Sequence, residues 1–366
     1  MYKENELVRV AKRQNNNKRK YLVVNRLQGK HIPVNGQEAF AMFDELAEIV
    51  KKSYSGEKLL LAGFAETATA IGARLAVKLN SSYIQTTRES IPNVEYLYFT
   101  ESHSHATEQK LVKDDIEGII DSIDRIVFVE DEVTTGNTII KIIDILEKSY
   151  PGKVKFAVAS LLNGMDAESL ENYNNRNINV HYLVKTDHSK YTAMADSYKG
   201  DGEYTDKNIG TPSINVEKYT VGNYQNARRC VNGERYENAC GALWDYISSK
   251  LDDNDKSLLV VGTEEFMYPA LYISAKLNES GRSARCHSTT RSPITVSSEE
   301  GYPLHCRFEL ASLYDDNRTT FIYDLNKYDC VIIVTDSQNE SDIGVNTLVN
   351  ALALCGNDKI KLFRWC

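Results

Sequence analysis

The sequence predicts an α/β protein in which open, mostly parallel β-sheets carry helices on both faces. Short β-rich segments alternate with longer segments of helical period, which is the pattern of βαβ units. The chain has 366 residues, and since single cores stop growing near roughly 250–300 residues, two domains are expected. Similar short segments recur in the same order in both halves, which predicts a second α/β domain related to the first.

The elements of the first half follow from the spacing of apolar side chains. Strands are predicted where short apolar, β-branched and aromatic segments occur, at residues 21–25, 59–62, 82–86, 95–99, 126–129, 155–162 and 180–184. Helices are predicted where apolar residues recur at helical spacing, at residues 36–52, 67–80 and 138–149. Residues 185–223 interrupt this order with glycines, a proline and many polar side chains, and predict a linker or an irregular flap.

The alternation returns in the second half of the chain. Helices are predicted at residues 236–251, 268–277 and 346–354, and strands at residues 258–261 and 330–334. The similar segments of the two halves are residues 59–66 and 258–265, residues 86–88 and 289–291, and residues 129–131 and 334–336. Generic α/β patterning could produce any one pair, but the shared order favours an internal duplication. We therefore place two domains at residues 20–223 and 224–366.

Composition and charge exclude several classes of protein. The net charge is -8, with 43 Lys and Arg against 51 Asp and Glu, which gives no general reason to expect nucleic acid as a partner. No apolar segment approaches the roughly 20 residues that span a bilayer, and the polar N-terminal region lacks the apolar segment of a secretory signal. The seven cysteines form no CxxC pair, which fits reduced thiols. A cytoplasmic protein without a membrane partner is expected.

The most informative segment comprises residues 126–138. Four apolar residues of a buried strand precede the adjacent carboxylates Glu130 and Asp131. A loop then opens the next helix and offers backbone N–H groups and hydroxyls from Thr134, Thr135, Gly136, Asn137 and Thr138. Open α/β sheets bind ligands at the carboxyl ends of their strands, and helix N-termini attract anions, so this loop is a candidate phosphate site.

Two carboxylates beside a phosphate site are explained if the ligand carries two hydroxyls next to its phosphate, as ribose 5-phosphate does. The 13 residues 126–138 resemble the phosphoribosyl-pyrophosphate (PRPP) motif of type I phosphoribosyltransferases at every position that defines it. An ordinary strand, turn and helix N-cap is the alternative interpretation. The resemblance implies that Glu130 and Asp131 bind the ribose hydroxyls, that residues 134–138 bind the 5-phosphate, and that Mg²⁺ binds through PRPP near the two acids.

The same resemblance assigns pyrophosphate to the loop after the strand at residues 59–62. Its residues are Gly63, Phe64, Ala65, Glu66 and Thr67, and none of them is Lys or Arg. Pyrophosphate would then depend on backbone N–H groups, Mg²⁺ and a cation from elsewhere. Arg88, which follows a strand end, is the nearest candidate for that cation, and a solvated surface arginine is its alternative interpretation.

Residues 101–108 take the place of a flexible loop that closes over the reacting centre in this family. Closure would exclude water, and His103 and His105 would contact pyrophosphate or relay a proton, as catalytic residues alongside Glu130 and Asp131. A metal site at the His-x-His pair would lack a third ligand in the sequence. Loop histidines without a catalytic task are the other alternative.

Residues 290–293 are Thr-Arg-Ser-Pro, a tetrapeptide that makes the resemblance to a family more specific. A phosphoribosyltransferase domain followed by a TRSP domain, named for this tetrapeptide, is similar to a bacterial family found with tellurite-resistance and stress-response genes, whose members are thought to make a nucleoside-like metabolite. The second half has Asp336 but no acidic pair and no Thr-Gly, so a degenerate PRPP loop is expected there. Arg291 and Ser292, or the pair at residues 228–229, could contribute to the first-half site.

The resulting hypothesis is a Mg²⁺-dependent phosphoribosyltransferase, a glycosyltransferase of nucleotide metabolism that transfers the phosphoribosyl group of PRPP to a small nitrogenous, nucleobase-like acceptor. The resemblance also allows a homodimer. The rival hypothesis is a non-catalytic sensor of PRPP or a nucleotide. Such a regulator should carry a DNA-binding appendage, and the sequence has neither a helix-turn-helix pattern nor a strong basic patch.

Overall fold

A computed structural model of the chain describes residues 2–14, 16, 19–99 and 109–366. The chain forms two compact units: residues 1–4, 41–187 and 225–238 make the first, and residues 5–40, 188–224 and 239–366 make the second. Each unit contains a parallel β-sheet, and the predicted α/β fold class is confirmed. Residues 5–40 and 188–224 group with the second unit and residues 225–238 with the first. The domain boundary between residues 223 and 224 stays a prediction.

Strands and helices are numbered in chain order. The strands are β1 (Val8–Lys12), β2 (Tyr21–Asn25), β3 (Leu59–Gly63), β4 (Ser82–Gln85), β5 (Tyr96–Phe99), β6 (Gln109–Val112), β7 (Arg125–Val133), β8 (Lys155–Asn163), β9 (Asn179–Lys185), β10 (Glu203–Thr205), β11 (Val216–Val221), β12 (Val231–Asn232), β13 (Ser257–Gly262), β14 (Ser283–Ser288), β15 (Cys306–Ala311), β16 (Thr319–Tyr323), β17 (Cys330–Thr335) and β18 (Ile360–Trp365). The helices are α1 (Glu4–Leu7), α2 (Gly36–Ser53), α3 (Thr69–Leu79), α4 (Lys113–Ile119), α5 (Asn137–Ser149), α6 (Ala167–Asn175), α7 (Tyr191–Ser197), α8 (Gly233–Ser248), α9 (Tyr268–Glu279) and α10 (Ile343–Leu354). Each helix and strand that the sequence predicts overlaps one of these elements. Among the described residues, no helix combines the length and the apolar character needed to cross a membrane.

The first unit is built on a six-stranded sheet with the order β12-β4-β3-β7-β8-β9. Five of these strands are parallel, and the short β12 pairs antiparallel with β4 at one edge. All of β3 and the first five residues of β7 are buried, as expected for a parallel sheet covered on both faces. Helix α5 buries Ile139, Ile142, Ile143 and Leu146, which recur at helical spacing.

The second unit is built on a five-stranded, fully parallel sheet with the order β11-β18-β17-β13-β14. Its core packs Leu259 and Ile333 of the strands with Leu348 and Leu352 of α10. Because β11 lies inside residues 185–223, the predicted linker or flap is wrong for this strand. The strand has no apolar segment because it is an edge strand, paired only with β18, and most of its side chains are exposed or half-buried.

The two sheets share one strand order. In the first sheet four neighbouring strands have the order β4-β3-β7-β8, and in the second sheet four have the order β14-β13-β17-β18. Strands β3, β4, β7 and β8 thus correspond to β13, β14, β17 and β18. In each unit an antiparallel pair lies at the same point of the chain, β5-β6 between β4 and β7 and β15-β16 between β14 and β17. This match in order and pairing supports the predicted internal duplication.

The segment formed by residues 225–238 completes the first unit at the edge of its sheet. The Asp115 carboxylate of α4 accepts two hydrogen bonds from the Arg229 guanidinium, both at 2.7 Å. It accepts a third from Cys230 N at 2.9 Å. A single carboxylate therefore attaches this segment to α4 next to β12.

Asp115→Asn is expected to lower the free energy of unfolding by about 1–3 kcal/mol, because an amide cannot accept all of these charge-assisted hydrogen bonds. Urea denaturation followed by circular dichroism measures the loss. The control is Asp121→Asn, which removes an exposed ion pair with Lys153 and should cost less than about 1 kcal/mol. Equal losses in the two variants would contradict the anchoring role of Asp115.

Candidate functional site

The carboxyl ends of β3, β4 and β7 lie at one edge of the first-unit sheet, where open α/β sheets bind their ligands. Glu130 and Asp131 belong to β7, which continues to Val133 and not only to the predicted end at Val129. The extension forms because β8 has the same length and pairs with β7 through Val133. The two half-buried carboxylates are therefore held on a strand.

The loop at residues 63–67 is fixed by a closed set of three hydrogen bonds. Ala65 N donates to the Thr86 hydroxyl at 2.8 Å, and Ala65 O accepts from the Gln109 side-chain amide at 2.8 Å. The Thr86 hydroxyl in turn donates to Gln109 Oε1 at 2.8 Å. Thr86 and Gln109 are buried, and the Ala65–Glu66 peptide bond is cis. The position of the loop thus depends on two buried polar side chains outside it.

One hydrogen bond joins this loop to the acidic strand. The Thr67 hydroxyl donates to Asp131 Oδ1 at 2.7 Å. Glu66 and Thr67 are half-buried, as Asp131 is, whereas Gly63 and Phe64 are buried. The residues predicted for pyrophosphate and those predicted for ribose therefore lie side by side in the first unit.

The loop before α5 forms the third part of the site. Gly136 has a φ of +71°, which L side chains rarely adopt, and a Cβ there would lie 2.4 Å from Tyr173 Oη. The Tyr173 hydroxyl donates to Gly136 O at 2.7 Å, and burial raises the pKa of Tyr173 well above its ordinary value. Since α5 begins at Asn137, residues 134–138 lie at a helix N-terminus, where partial positive charge favours an anion.

Positive charge near this edge comes from Arg88, which follows β4, and from Lys110 of β6. Arg88 is half-buried and lies two residues after Thr86. The mostly buried Lys110 donates to the Ser90 hydroxyl at 3.2 Å, and its ammonium lies 4.4 Å from the centre of the Tyr96 ring. The loop at residues 63–67 itself supplies only backbone and hydroxyl donors.

The two predicted catalytic histidines, His103 and His105, lie outside the described residues. Within the described part of the chain, no group of three or more His, Cys, Asp or Glu side chains is arranged to hold a metal ion. A divalent ion at Glu130 and Asp131 would therefore need further oxygen ligands from a bound substrate, which is how Mg²⁺ is commonly held beside phosphates.

The second unit repeats one of the three hydrogen bonds of the first-unit loop. Glu264 N donates to the Thr289 hydroxyl at 3.1 Å, as Ala65 N does to that of Thr86. The residue after each threonine exchanges two backbone hydrogen bonds with the second strand of the antiparallel pair, β16 in the second unit and β6 in the first. The two units thus correspond in local geometry as well as in strand order.

The Thr-Arg-Ser-Pro segment contacts acidic residues of its own unit. Arg291 Nε donates to Glu264 Oε2 at 2.5 Å, and Arg291 Nη2 lies 3.6 Å from Glu265 Oε1. Both glutamate side chains are 1% exposed. A contribution of Arg291 and Ser292 to the first-unit site stays a prediction.

Three residues that support the site were missed by the sequence reasoning. Thr86 had a usable signal, because Thr-Thr-Arg occurs again at residues 289–291. Gln109 and Tyr173 had none, since their contacts arise from strand pairing and from the packing of α6.

Comparison with known proteins identifies the family. A family model described as "Phosphoribosyl transferase" matches residues 7–189, half of the chain. A second model, described as "TRSP domain C terminus to PRTase_2", matches residues 229–352. No curated protein matches the sequence.

Several solved structures align with about half of the chain. Adenine phosphoribosyltransferase from Rhodothermus marinus is 15% identical, with 50% of this chain and 96% of that chain covered and a TM-score of 0.36. The enzyme from Trypanosoma brucei, in complex with AMP, pyrophosphate and ribose-5-phosphate, is 16% identical, with 49% and 76% covered and a TM-score of 0.35. A hypoxanthine phosphoribosyltransferase from Staphylococcus aureus is 15% identical, with 42% and 75% covered and a TM-score of 0.27.

Thr86→Val is expected to lower the free energy of unfolding by about 1–3 kcal/mol, because it leaves the Ala65 N–H and Gln109 Oε1 without their buried partner. Urea denaturation measures the change. Thr86→Ser keeps the hydroxyl and is the control, with a smaller loss expected. Stability of Thr86→Val equal to that of wild type would show that the loop does not depend on this hydroxyl.

Proposed function

Because the chain belongs to the phosphoribosyl transferase family, we propose that it transfers the phosphoribosyl group of PRPP to a small nitrogenous, nucleobase-like acceptor and releases pyrophosphate. Family membership confirms the predicted enzyme class and the predicted combination with a TRSP domain. The donor, the acceptor class and the metal ion are parts of the proposal and depend on the residues of the first-unit site.

The observation that carries the proposal is the hydrogen bond from the Thr67 hydroxyl to Asp131 Oδ1, at 2.7 Å. This bond keeps the loop assigned to pyrophosphate next to the acids assigned to ribose. PRPP requires this arrangement, because the pyrophosphate and the hydroxyls of PRPP are attached to one sugar ring. Residues 134–138 supply the start of α5 for the 5-phosphate of the same molecule.

Glu130 and Asp131 would accept hydrogen bonds from the ribose 2- and 3-hydroxyls. In the reaction the C1–O bond breaks, its electron pair leaves with pyrophosphate, and a nitrogen of the acceptor forms the new bond to C1 from the opposite face. Positive charge develops on the sugar ring meanwhile, and the two carboxylates would stabilise it. The protein would therefore act mainly by positioning the reactants and by charge stabilisation.

The same two carboxylates fit a Mg²⁺ ion, which proteins commonly bind through one or two carboxylates together with substrate oxygens. When bound, the ion would neutralise charge on the leaving pyrophosphate. The Thr67 hydroxyl engages Asp131 Oδ1, so the orientation of this carboxylate is set by the protein.

We assign to Arg88 the positive charge that the pyrophosphate loop lacks. The internal duplication supports this assignment, because Arg291 follows Thr-Thr in the second unit as Arg88 does in the first. Arg291 binds the Glu264 carboxylate of the loop after β13 at 2.5 Å. An arginine at this position can thus reach the loop that follows the neighbouring strand.

The remaining parts of the proposal come from the sequence and from the family resemblance. His103 and His105 would contact pyrophosphate or relay a proton. A cytoplasmic location, a homodimer and a nucleotide-like product linked to tellurite or stress resistance complete it.

Asp131→Asn is expected to reduce pyrophosphate release at least about tenfold, because the variant loses a charge that stabilises the transition state. The assay contains PRPP, Mg²⁺ and a panel of nucleobases, with the surface variant Asp121→Asn as control. Equal release by wild type and Asp131→Asn would refute the assigned role. PRPP binding by wild type without release in the presence of any acceptor would favour the sensor hypothesis.

Arg88→Gln is expected to raise the KM for PRPP about tenfold, because a cation that contacts pyrophosphate strengthens substrate binding. The KM for the acceptor, measured in the same assays, is the internal control, and Arg88→Lys should restore part of the loss. An unchanged KM for PRPP in Arg88→Gln would show that Arg88 does not contact pyrophosphate.

A further inference from the structure

The Glu264 carboxylate is enclosed by three donors in the second unit. Its Oε2 accepts from Arg291 Nε at 2.5 Å and from Arg318 Nη1 at 3.0 Å, and its Oε1 accepts from the Ser312 hydroxyl. The Glu264 side chain is 1% exposed. Two guanidinium groups around one buried anion are typical of sites that bind carboxylates and phosphates.

Glu264 extends from the segment that corresponds to the proposed pyrophosphate loop. Its N–H donates to the Thr289 hydroxyl at 3.1 Å, in the same way as Ala65 N–H of the first unit donates to Thr86. Glu264 also has a φ of +49°, a region that residues with a side chain rarely adopt. Strained backbone of this kind clusters at functional positions.

The segment between β15 and β16, residues 312–318, covers the Glu264 side chain. Its first and last residues, Ser312 and Arg318, are the ones that contact Glu264. Tyr314 lies between these two residues in the chain, and its hydroxyl donates to Asp336 Oδ1 at 2.6 Å. Asp336 is the residue that corresponds to Asp131 of the first unit. The segment therefore closes the second-unit edge over Glu264 and Asp336.

The start of α10 is in close contact with the backbone of residues 312–318. A Cβ on Gly344 would lie 2.3 Å from Ser312 O, so the backbone of residues 312–318 packs directly on the helix N-terminus. In the first unit the corresponding helix start, at residues 134–138, is the proposed 5-phosphate site.

Three cations lie at Glu264. Arg291 and Arg318 contact its carboxylate, and the buried Lys30 ammonium donates to Glu264 O at 2.7 Å. The carboxylates at this edge are those of Glu264, Glu265 and Asp336. Without the Glu264 carboxylate, three cations would face two carboxylates, so an anion would be attracted to the place that this carboxylate fills.

We propose that the second unit retains a pyrophosphate-type anion site, formed by Arg291, Arg318 and Ser312, and that the Glu264 carboxylate of the chain occupies it permanently. The Thr-Arg-Ser-Pro segment thus supplies the arginine that binds an internal ligand. The proposal rests on the proposed function only in naming pyrophosphate as the ligand of the corresponding first-unit loop. It gives Arg291 a task within its own unit, separate from the predicted contribution to the first-unit site.

Glu264→Gly tests the proposal, because it removes the carboxylate and suits the positive φ. Isothermal titration calorimetry with inorganic pyrophosphate counts the sites, and the variant is expected to bind about one equivalent more than wild type. Since only the difference matters, a wild type that binds none would count against the proposed function and not against this proposal.

Two further variants make the test specific. Glu264→Gln fills the same space and should gain no site, and adding Arg291→Ala to Glu264→Gly should abolish the gained site. If Glu264→Gly does not fold alone, circular dichroism tests whether pyrophosphate refolds it. A Glu264→Gly protein that pyrophosphate neither binds nor refolds would overturn the proposal, as would an equal gain in Glu264→Gln.

Discussion

The hydrogen bond from a loop N–H to the hydroxyl of the threonine that directly follows the neighbouring strand fixes the geometry on which both units depend. It joins Ala65 to Thr86 at 2.8 Å in the first unit and Glu264 to Thr289 at 3.1 Å in the second. In each case it connects the loop after one parallel strand to the end of the next. This contact holds the loop at the same place in both units, and the side chains that the loop carries then decide what can bind there.

The two units share this loop geometry but differ in the side chains around the loop. In the first, the loop presents backbone and hydroxyl donors beside the acidic pair Glu130 and Asp131, an arrangement suited to a ligand with both phosphates and hydroxyls. In the second, the loop carries the Glu264 carboxylate, which two arginines bind. One scaffold thus supports a candidate substrate site in one unit and a closed, internally occupied site in the other.

The sequence was sufficient where a signal is local. Strands β3, β7 and β13 and helix α5 follow from buried apolar residues, and the PRPP motif follows from adjacent residue types. It was insufficient where burial depends on a distant partner. Strand β18 was missed because the buried Lys361 interrupts its apolar pattern, and Lys361 is accommodated by Glu217 of β11 at 2.6 Å. Arg291 was recognised, but its partner Glu264 is defined by the pairing of β13 with β14.

We propose that the first unit holds the PRPP site and that the second unit does not bind PRPP in the same way. A crystal structure of the full chain with PRPP and Mg²⁺ would decide between the two sheet edges. We expect one ligand per chain, with its ribose hydroxyls on Glu130 and Asp131 and its 5-phosphate on residues 134–138. PRPP at Asp336 and the start of α10, or bound away from both sheet edges, would contradict it.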